Sequence, residues 1–267
     1  MKSSHSRPPD GVPPFVTSPL LEAHGLPHLF TTRHFPGVTQ PTEPRRPFGP
    51  EAGRLLAERG LEAEPAYLRQ VHGPAVIEVD RSGLAGDADA LATARAGLPL
   101  CISTADCLPV VLFDPRQRRL AAAHAGWRGT AQAVSPAAVM SLTRAGSAPE
   151  DLVVAIGPSI GPCCYEVDAP VIDRFEAVFP GVSEAWFTPK GPGKWMLDLW
   201  RANVDQLRQA GVRAERIEVL GLCTGCRPDL LFSYRRERGA GRLVTVAALP
   251  GPRLGPLRGP LLGTVAG

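Results

Sequence analysis

Apolar residues in this chain fall into short blocks separated by charged or Pro/Gly-rich breaks. Residues 29–33, 75–79, 98–103, 110–113, 120–123, 152–156, 217–222 and 243–249 are β-branched or alternating runs of strand length, and each predicts a strand. The run 98–103 is almost continuously apolar, which predicts burial on both faces. Four stretches predict helices. Residues 51–59 are closed by Gly60 as a C-cap. Residues 130–144 contain Pro136, which should kink or restart the helix. Residues 170–179 begin with proline. In 197–210, Leu197, Trp200, Val204 and Leu207 are spaced for one buried face. Residues 82–87 read as a turn and 36–50 as an extended, proline-rich loop. Strands and helices mix without strict alternation, which predicts an α+β fold. Residues 15–249 form its single domain, between a disordered lead (1–14) and a Pro/Gly-rich tail (250–267).

Composition changes this picture little. A hydrophobic content of 44% and a charged content of 21% are those of a water-soluble globular chain. At 267 residues it is long enough for a full core. The net charge is +3, with Lys and Arg spread along the chain, so nucleic acid is not indicated as a partner. Residues 1–15 lack the apolar segment of a secretory signal, and no run reaches the ~18 apolar residues of a membrane span. The cytoplasm is therefore the expected compartment. The six cysteines are then expected to be thiols or metal ligands rather than a disulfide framework.

The candidate chemistry centres on Thr104-Ala105-Asp106-Cys107-Leu108-Pro109 and His124-Ala125-Gly126-Trp127-Arg128-Gly129. Two apolar runs between them flank Asp114-Pro115, a turn initiator. A hairpin folded between Pro115 and Arg116 would place Cys107 opposite His124, with Cβ atoms roughly 5 Å apart. A thiol and an imidazole so placed make half a metal site or a nucleophile–base pair. His72, in Gln70-Val71-His72-Gly73, is the best third group. Three ligands leave a metal one open position for water or substrate, the arrangement of a catalytic rather than a structural zinc. Cu²⁺ would bind the same set more tightly.

These segments resemble a known family. They occur in its order together with Asp87-Ala88-Asp89-Ala90-Leu91, Ile156-Gly157-Pro158-Ser159-Ile160-Gly161-Pro162-Cys163-Cys164-Tyr165-Glu166-Val167 and Phe232-Ser233-Tyr234-Arg235-Arg236. The family is that of the bacterial laccase-domain, or polyphenol oxidase (YfiH-like), proteins. Its members are read as zinc-dependent purine nucleoside phosphorylases with adenosine deaminase activity. The resemblance implies a layered sandwich of mixed sheets flanked by helices. It implies a catalytic and metal-binding set of His72, Cys107 and His124. It implies purine nucleosides (adenosine, inosine, guanosine, methylthioadenosine) and inorganic phosphate as substrates. The loop 36–50 departs from the family, which carries Gly-Gly-Val-Ser and Asn-Leu-Gly there.

Phosphate needs cationic partners, and the planar fork of arginine suits its oxygens. The candidates are Arg128, Arg235, Arg236 and Arg242, with one of the Arg235–Arg236 pair preferred. Thr104 and Asp106 flank Cys107 as substrate contacts or supports. Trp127 is a core residue or a stacking surface. Cys223-Thr224-Gly225-Cys226 is a CxxC without the βαβ context of a redox motif. Cys163 and Cys164, as neighbours, cannot readily bridge each other. Alternatives from other classes are a Cys–His hydrolase with Cys107 as nucleophile, acting on a cell-wall precursor, a copper polyphenol oxidase, and a non-catalytic metal-binding module.

Overall fold

In the computed structural model of the chain, residues 11–38, 46–239 and 241–251 are described. Strand β8 (Leu108–Asp114) is buried along its whole length. Its alternating side chains enter two different cores. Leu108, Val110 and Leu112 join one apolar cluster, and Val111 and Phe113 join another. This is the period of two that a pleat imposes, in a strand with no solvent face.

β8 lies inside a six-stranded mixed sheet. The order is β14 (Ile217–Val219), β10 (Val153–Ile156), β8, β9 (Arg119–Ala125), β6 (Ala90–Thr93) and β4 (Val76–Glu78). One face of this sheet packs on a second six-stranded sheet. Its order is β1 (Phe15–Val16), β2 (His28–Thr31), β15 (Leu243–Ala247), β7 (Leu100–Thr104), β3 (Ala66–Arg69) and β5 (Gly83–Asp87). Phe30, Leu100 and Ile102 meet Val111, Phe113 and Leu120 between the two. The other face of the β8 sheet is covered by helices α4 (Val134–Arg144) and α6 (Leu199–Gln209), through Val134, Ala138, Leu142, Leu199 and Leu207. A small sheet, β11 (Glu166–Asp168), β13 (Lys194–Leu197) and β12 (Phe187–Gly191), adjoins α5 (Ala169–Val178) on that side. Short helices α1 (Pro19–Ala23), α2 (Gly53–Glu58), α3 (Trp127–Thr130) and α7 (Tyr234–Glu237) occupy connections. The result is a single-domain α+β sandwich of mixed sheets flanked by helices, as the sequence predicted.

Four expectations are corrected. Residues 83–87 are a strand, not a turn. Two of them are glycines in positive-φ conformations (Gly83 and Gly86), and the segment is held by parallel pairing with β3, which no local pattern announces. The helix predicted over 130–144 is two helices. The break falls at Ala133 (φ 60°), and Pro136 sits in the first turn of α4, where it restarts the helix. The helix predicted from Leu197 begins at Leu199, because Asp198 caps it by accepting from the Arg201 N–H at 2.9 Å. Its buried face carries Leu199, Ala202, Asn203, Gln206 and Leu207. The polar pair on that face reaches back to α3 and α4: Asn203 bonds Thr130 and Ser135, and Gln206 Nε2 donates to the Thr130 carbonyl, while Gln206 Oε1 is buried without a partner. These bonds fix α3, which leaves the site directly after His124.

The fourth correction concerns the hairpin. Pro109 pairs with His124, and Leu108 with Ala125. Extending that register places Cys107 opposite Gly126, so the fold lies one residue further along than predicted. The turn sets this. Asp114 Oδ1 accepts from the backbone N–H groups of Arg116 and Gln117, at 2.8 and 3.0 Å. Arg118 adopts a left-handed conformation (φ 51°) and closes a loop of residues 115–118. The expectations for residues 1–10, 39–45 and 252–267 lie outside the described residues.

Candidate metal centre

His72, Cys107 and His124 come from three different places in the fold. His72 follows β3 in a left-handed conformation (φ 61°). Cys107 precedes β8, just after Asp106, which is also left-handed (φ 88°). His124 is the penultimate residue of β9. Their ligand atoms all lie within 4.8 Å of one another. The two imidazole rings meet edge to face, centroids 4.8 Å apart. The sequence predicted this set, and the structure brings all of it together, despite the shifted hairpin register.

Asp89, to which sequence reasoning gave no role, organises the set. It is fully buried. Its Oδ1 accepts from His124 Nδ1 at 2.7 Å. Its Oδ2 accepts from the backbone N–H groups of Gly73 (2.7 Å) and Val71 (3.1 Å), on either side of His72. Burial pushes its carboxyl up, but the bonds from His124 and Gly73 outweigh this and hold it below the usual range. With Nδ1 committed to Asp89, His124 presents Nε2 to the centre, the usual arrangement behind a metal-bound imidazole.

Electrostatics favour an anionic sulfur. Burial raises the Cys107 thiol, yet attraction to His124 and hydrogen bonds from both imidazoles bring it down to about 6. Burial lowers His124, and the Cys107 and Asp89 charges reverse this, to about 9. Both shifts favour the thiolate–imidazolium form of the pair. A cation with soft and borderline affinity fits the donor set, since Cys thiolate and His nitrogen are the ligands of zinc and copper. Space fits as well. A Cβ at Gly126 would stand 2.8 Å from Cys107 Sγ and 3.2 Å from His72 Cδ2, so a glycine keeps the backbone side of the centre clear.

Beside the centre, Asp106 joins three segments. Its carboxylate accepts from Thr224 Oγ1 (2.5 Å) and from the backbone N–H of Arg235 (2.7 Å) at the start of α7. Its carbonyl accepts from Ile160 N at 2.8 Å. The Arg235 guanidinium lies 5.2 Å from the Tyr165 ring centroid and donates to Glu166 O at 2.8 Å. Burial raises the Tyr165 hydroxyl, and Cys107 and Asp106 add to this while Arg235 and Arg128 oppose it. Tyr165 therefore lies in the field of the thiol and of two of the predicted arginines. Arg128 is exposed, 4.4 Å from the Trp127 ring. Trp127 is half-buried against the core under it. Arg236 differs from Arg235: its Nη1 donates to the Gly225 carbonyl at 2.7 Å. Arg242 donates to the adjacent Gly241 carbonyl. Thr104 ends β7, buried and paired with Leu243.

The fold and the site together define a sandwich of mixed sheets with an inward Cys/His group that can hold a metal. The chain belongs to the family described as multi-copper polyphenol oxidoreductase laccase, whose model matches residues 51–250. It is 41% identical over 187 residues to the protein named purine nucleoside phosphorylase YlmD of Geobacillus stearothermophilus, covering 66% of this chain and 68% of that one. A protein of Deinococcus radiodurans with the name purine nucleoside phosphorylase is 38% identical over 245 residues, covering 87% and 93%. The crystal structure of the Geobacillus YlmD superposes with a TM-score of 0.79 at 30% identity, over 92% of this chain and 99% of that one. That of the Bacillus licheniformis protein YfiH gives 0.77 at 30% identity, over 88% and 99%. Among the described residues no helix is long and apolar enough to cross a membrane.

Proposed function

We propose that this chain is a zinc-dependent purine nucleoside phosphorylase that also deaminates adenosine. The observation that carries the reading is the His72–Cys107–His124 group, with Arg235 held 5.2 Å from the ring centroid of Tyr165, which feels the field of Cys107. The names of the relatives supply the substrate class. In phosphorolysis a phosphate oxygen bonds to ribose C1′ as the bond from C1′ to the base nitrogen breaks. The base leaves with that electron pair and takes up a proton, giving ribose 1-phosphate and free base.

His72, Cys107 and His124 would hold the zinc, with Asp89 fixing the tautomer of His124. Zinc supplies Lewis acidity at one open position. Arg235 and Arg128 offer guanidinium groups to an anion such as phosphate. Tyr165, its ring beside Arg235, keeps its proton across the physiological range and offers a hydrogen-bond donor. Trp127, its ring beside Arg128, offers an apolar surface for a purine. Adenosine deamination, in which water replaces the amino group to give inosine and ammonia, would be served by the same residues.

A second reading has one observation in its favour. Cys107, His124 and Asp89 form a thiolate–imidazolium–carboxylate series, the arrangement of a Cys–His nucleophile. The deciding experiment incubates the zinc-loaded protein with inosine or adenosine, with and without phosphate. Free base and ribose 1-phosphate should form only with phosphate present. Base release at the same rate without phosphate, or no release in either case, overturns the phosphorylase.

A further inference from the structure

Outside the His72 centre, the described residues hold one other group of potential metal ligands. Cys163, Cys164, Cys223 and Cys226 bring their sulfur atoms within 4.8 Å of one another. They come from two segments far apart in the chain, the loop after β10 and the turn that follows β14. Cys226 Sγ lies 3.4 Å from Cys163 Sγ and 3.5 Å from Cys164 Sγ. Four sulfurs held tetrahedrally at about 2.3 Å from one zinc stand roughly 3.8 Å apart, so these atoms sit near the required spacing.

The backbone is arranged around the sulfurs. The Gly161 N–H donates to Cys223 Sγ at 3.2 Å, a bond that favours a thiolate. The N–H groups of Cys226 and Arg227 both donate to the Cys223 carbonyl, at 3.2 and 3.1 Å, which folds the CxxC into a tight turn. A Cβ at Gly225 would stand 2.7 Å from Cys164 Cβ and 2.8 Å from Cys164 Sγ. The turn closes on the loop only because that position has no side chain. Cys163 and Cys226 are exposed, whereas Cys223 is buried. Cysteine is among the most commonly buried residue types, so an exposed pair meeting a buried one is a poor packing device and a good entry route for an ion.

We propose that Cys163, Cys164, Cys223 and Cys226 form a second metal site, one that holds a structural zinc through four thiolates. Four protein ligands close the coordination sphere and leave no position for substrate. Binding Zn²⁺ displaces the four thiol protons and leaves a centre of net charge −2. The Arg236 guanidinium, donating to Gly225 O at 2.7 Å, stands beside the turn to offset it. The site fastens two segments that both reach the His72 centre. Cys164 precedes Tyr165, and Cys223 precedes Thr224, whose hydroxyl holds Asp106. A disulfide from Cys226 to Cys163 or Cys164 would need an oxidant, would use two of the sulfurs, and leaves the convergence of the other two without a purpose.

The test counts metal on the full chain, purified under reductant, stripped, and reloaded with zinc alone. Wild type should bind about two zinc ions per chain. Cys223→Ser, Cys226→Ser and His72→Ala should each lose about one, and the His72→Ala/Cys223→Ser double variant about two. Cobalt loading gives a readout that does not depend on a cysteine variant folding. His72→Ala should keep the intense charge-transfer absorption of a tetrathiolate, because only the one-thiolate site has been removed. Wild type saturating at about one zinc, with that one abolished by His72→Ala, overturns the proposal. So does an unchanged metal count in Cys223→Ser, or a Cys226 disulfide found by peptide mapping in freshly purified, zinc-supplemented protein. Loss of metal confined to the cysteine variants would instead count against the His72 centre and leave this site standing.

Discussion

One buried carboxylate ties together the segments that carry the two histidines. Asp89 Oδ1 accepts from His124 Nδ1 at 2.7 Å while Oδ2 accepts from the Gly73 N–H at 2.7 Å, next to His72. The ring of His124 and the left-handed turn at His72 are therefore set by the same residue. Asp89→Asn keeps the shape but turns an N–H group towards donors on one side. We expect zinc affinity to fall about 10–100-fold, measured by chelator competition, with both histidines intact. Unchanged affinity would show that the ring is held by packing alone.

Cys107 reports on whether a metal occupies the centre. In stripped protein its thiol, lowered to about 6, should be thiolate at neutral pH. Alkylation by iodoacetamide should then rise as pH increases through about 6 and level off above it, well below the usual thiol range. The sign follows from the shift, since a lowered pKa keeps the reactive anion present at lower pH. Zinc loading should suppress the reaction and a chelator restore it. Rapid alkylation of zinc-loaded protein, together with an acyl adduct on Cys107 from an amide substrate, would favour the hydrolase.

Arg235 and Arg236 are adjacent in sequence but differ in what they touch. Arg235 lies over Tyr165, in the field of the thiol, whereas Arg236 is bonded to the Gly225 carbonyl. Arg235→Ala should raise the KM for phosphate by roughly tenfold or more, with a smaller change for nucleoside. Arg236→Ala should chiefly lower Tm, because it releases the Cys223–Cys226 turn. Equal effects of the two variants on the phosphate KM would assign both to the anion.

Much of this protein was legible in its sequence. Short apolar runs located most strands, because the pleat imposes its period locally, and β7 was readable as buried because its run is almost continuously apolar. His72, Cys107 and His124 were readable as a set because their residue types share one chemistry. Tertiary structure alone decided the rest. The centre of the hairpin turn moved by one residue, which moved the partner of Cys107 from His124 to Gly126, because the Asp114 side chain took two backbone N–H groups in the turn. Residues 83–87 became a strand only through pairing with β3. Asp89 became the support of His124, and Thr224 the partner of Asp106, across separations of 35 and 118 residues that no periodicity encodes. The two cysteine pairs, each unremarkable by itself, converged because the loop after β10 and the turn after β14 leave neighbouring parallel strands at the same end of one sheet. Local pattern reflects the backbone's own geometry, whereas these contacts follow from strand order, which the fold sets only when the whole core is buried.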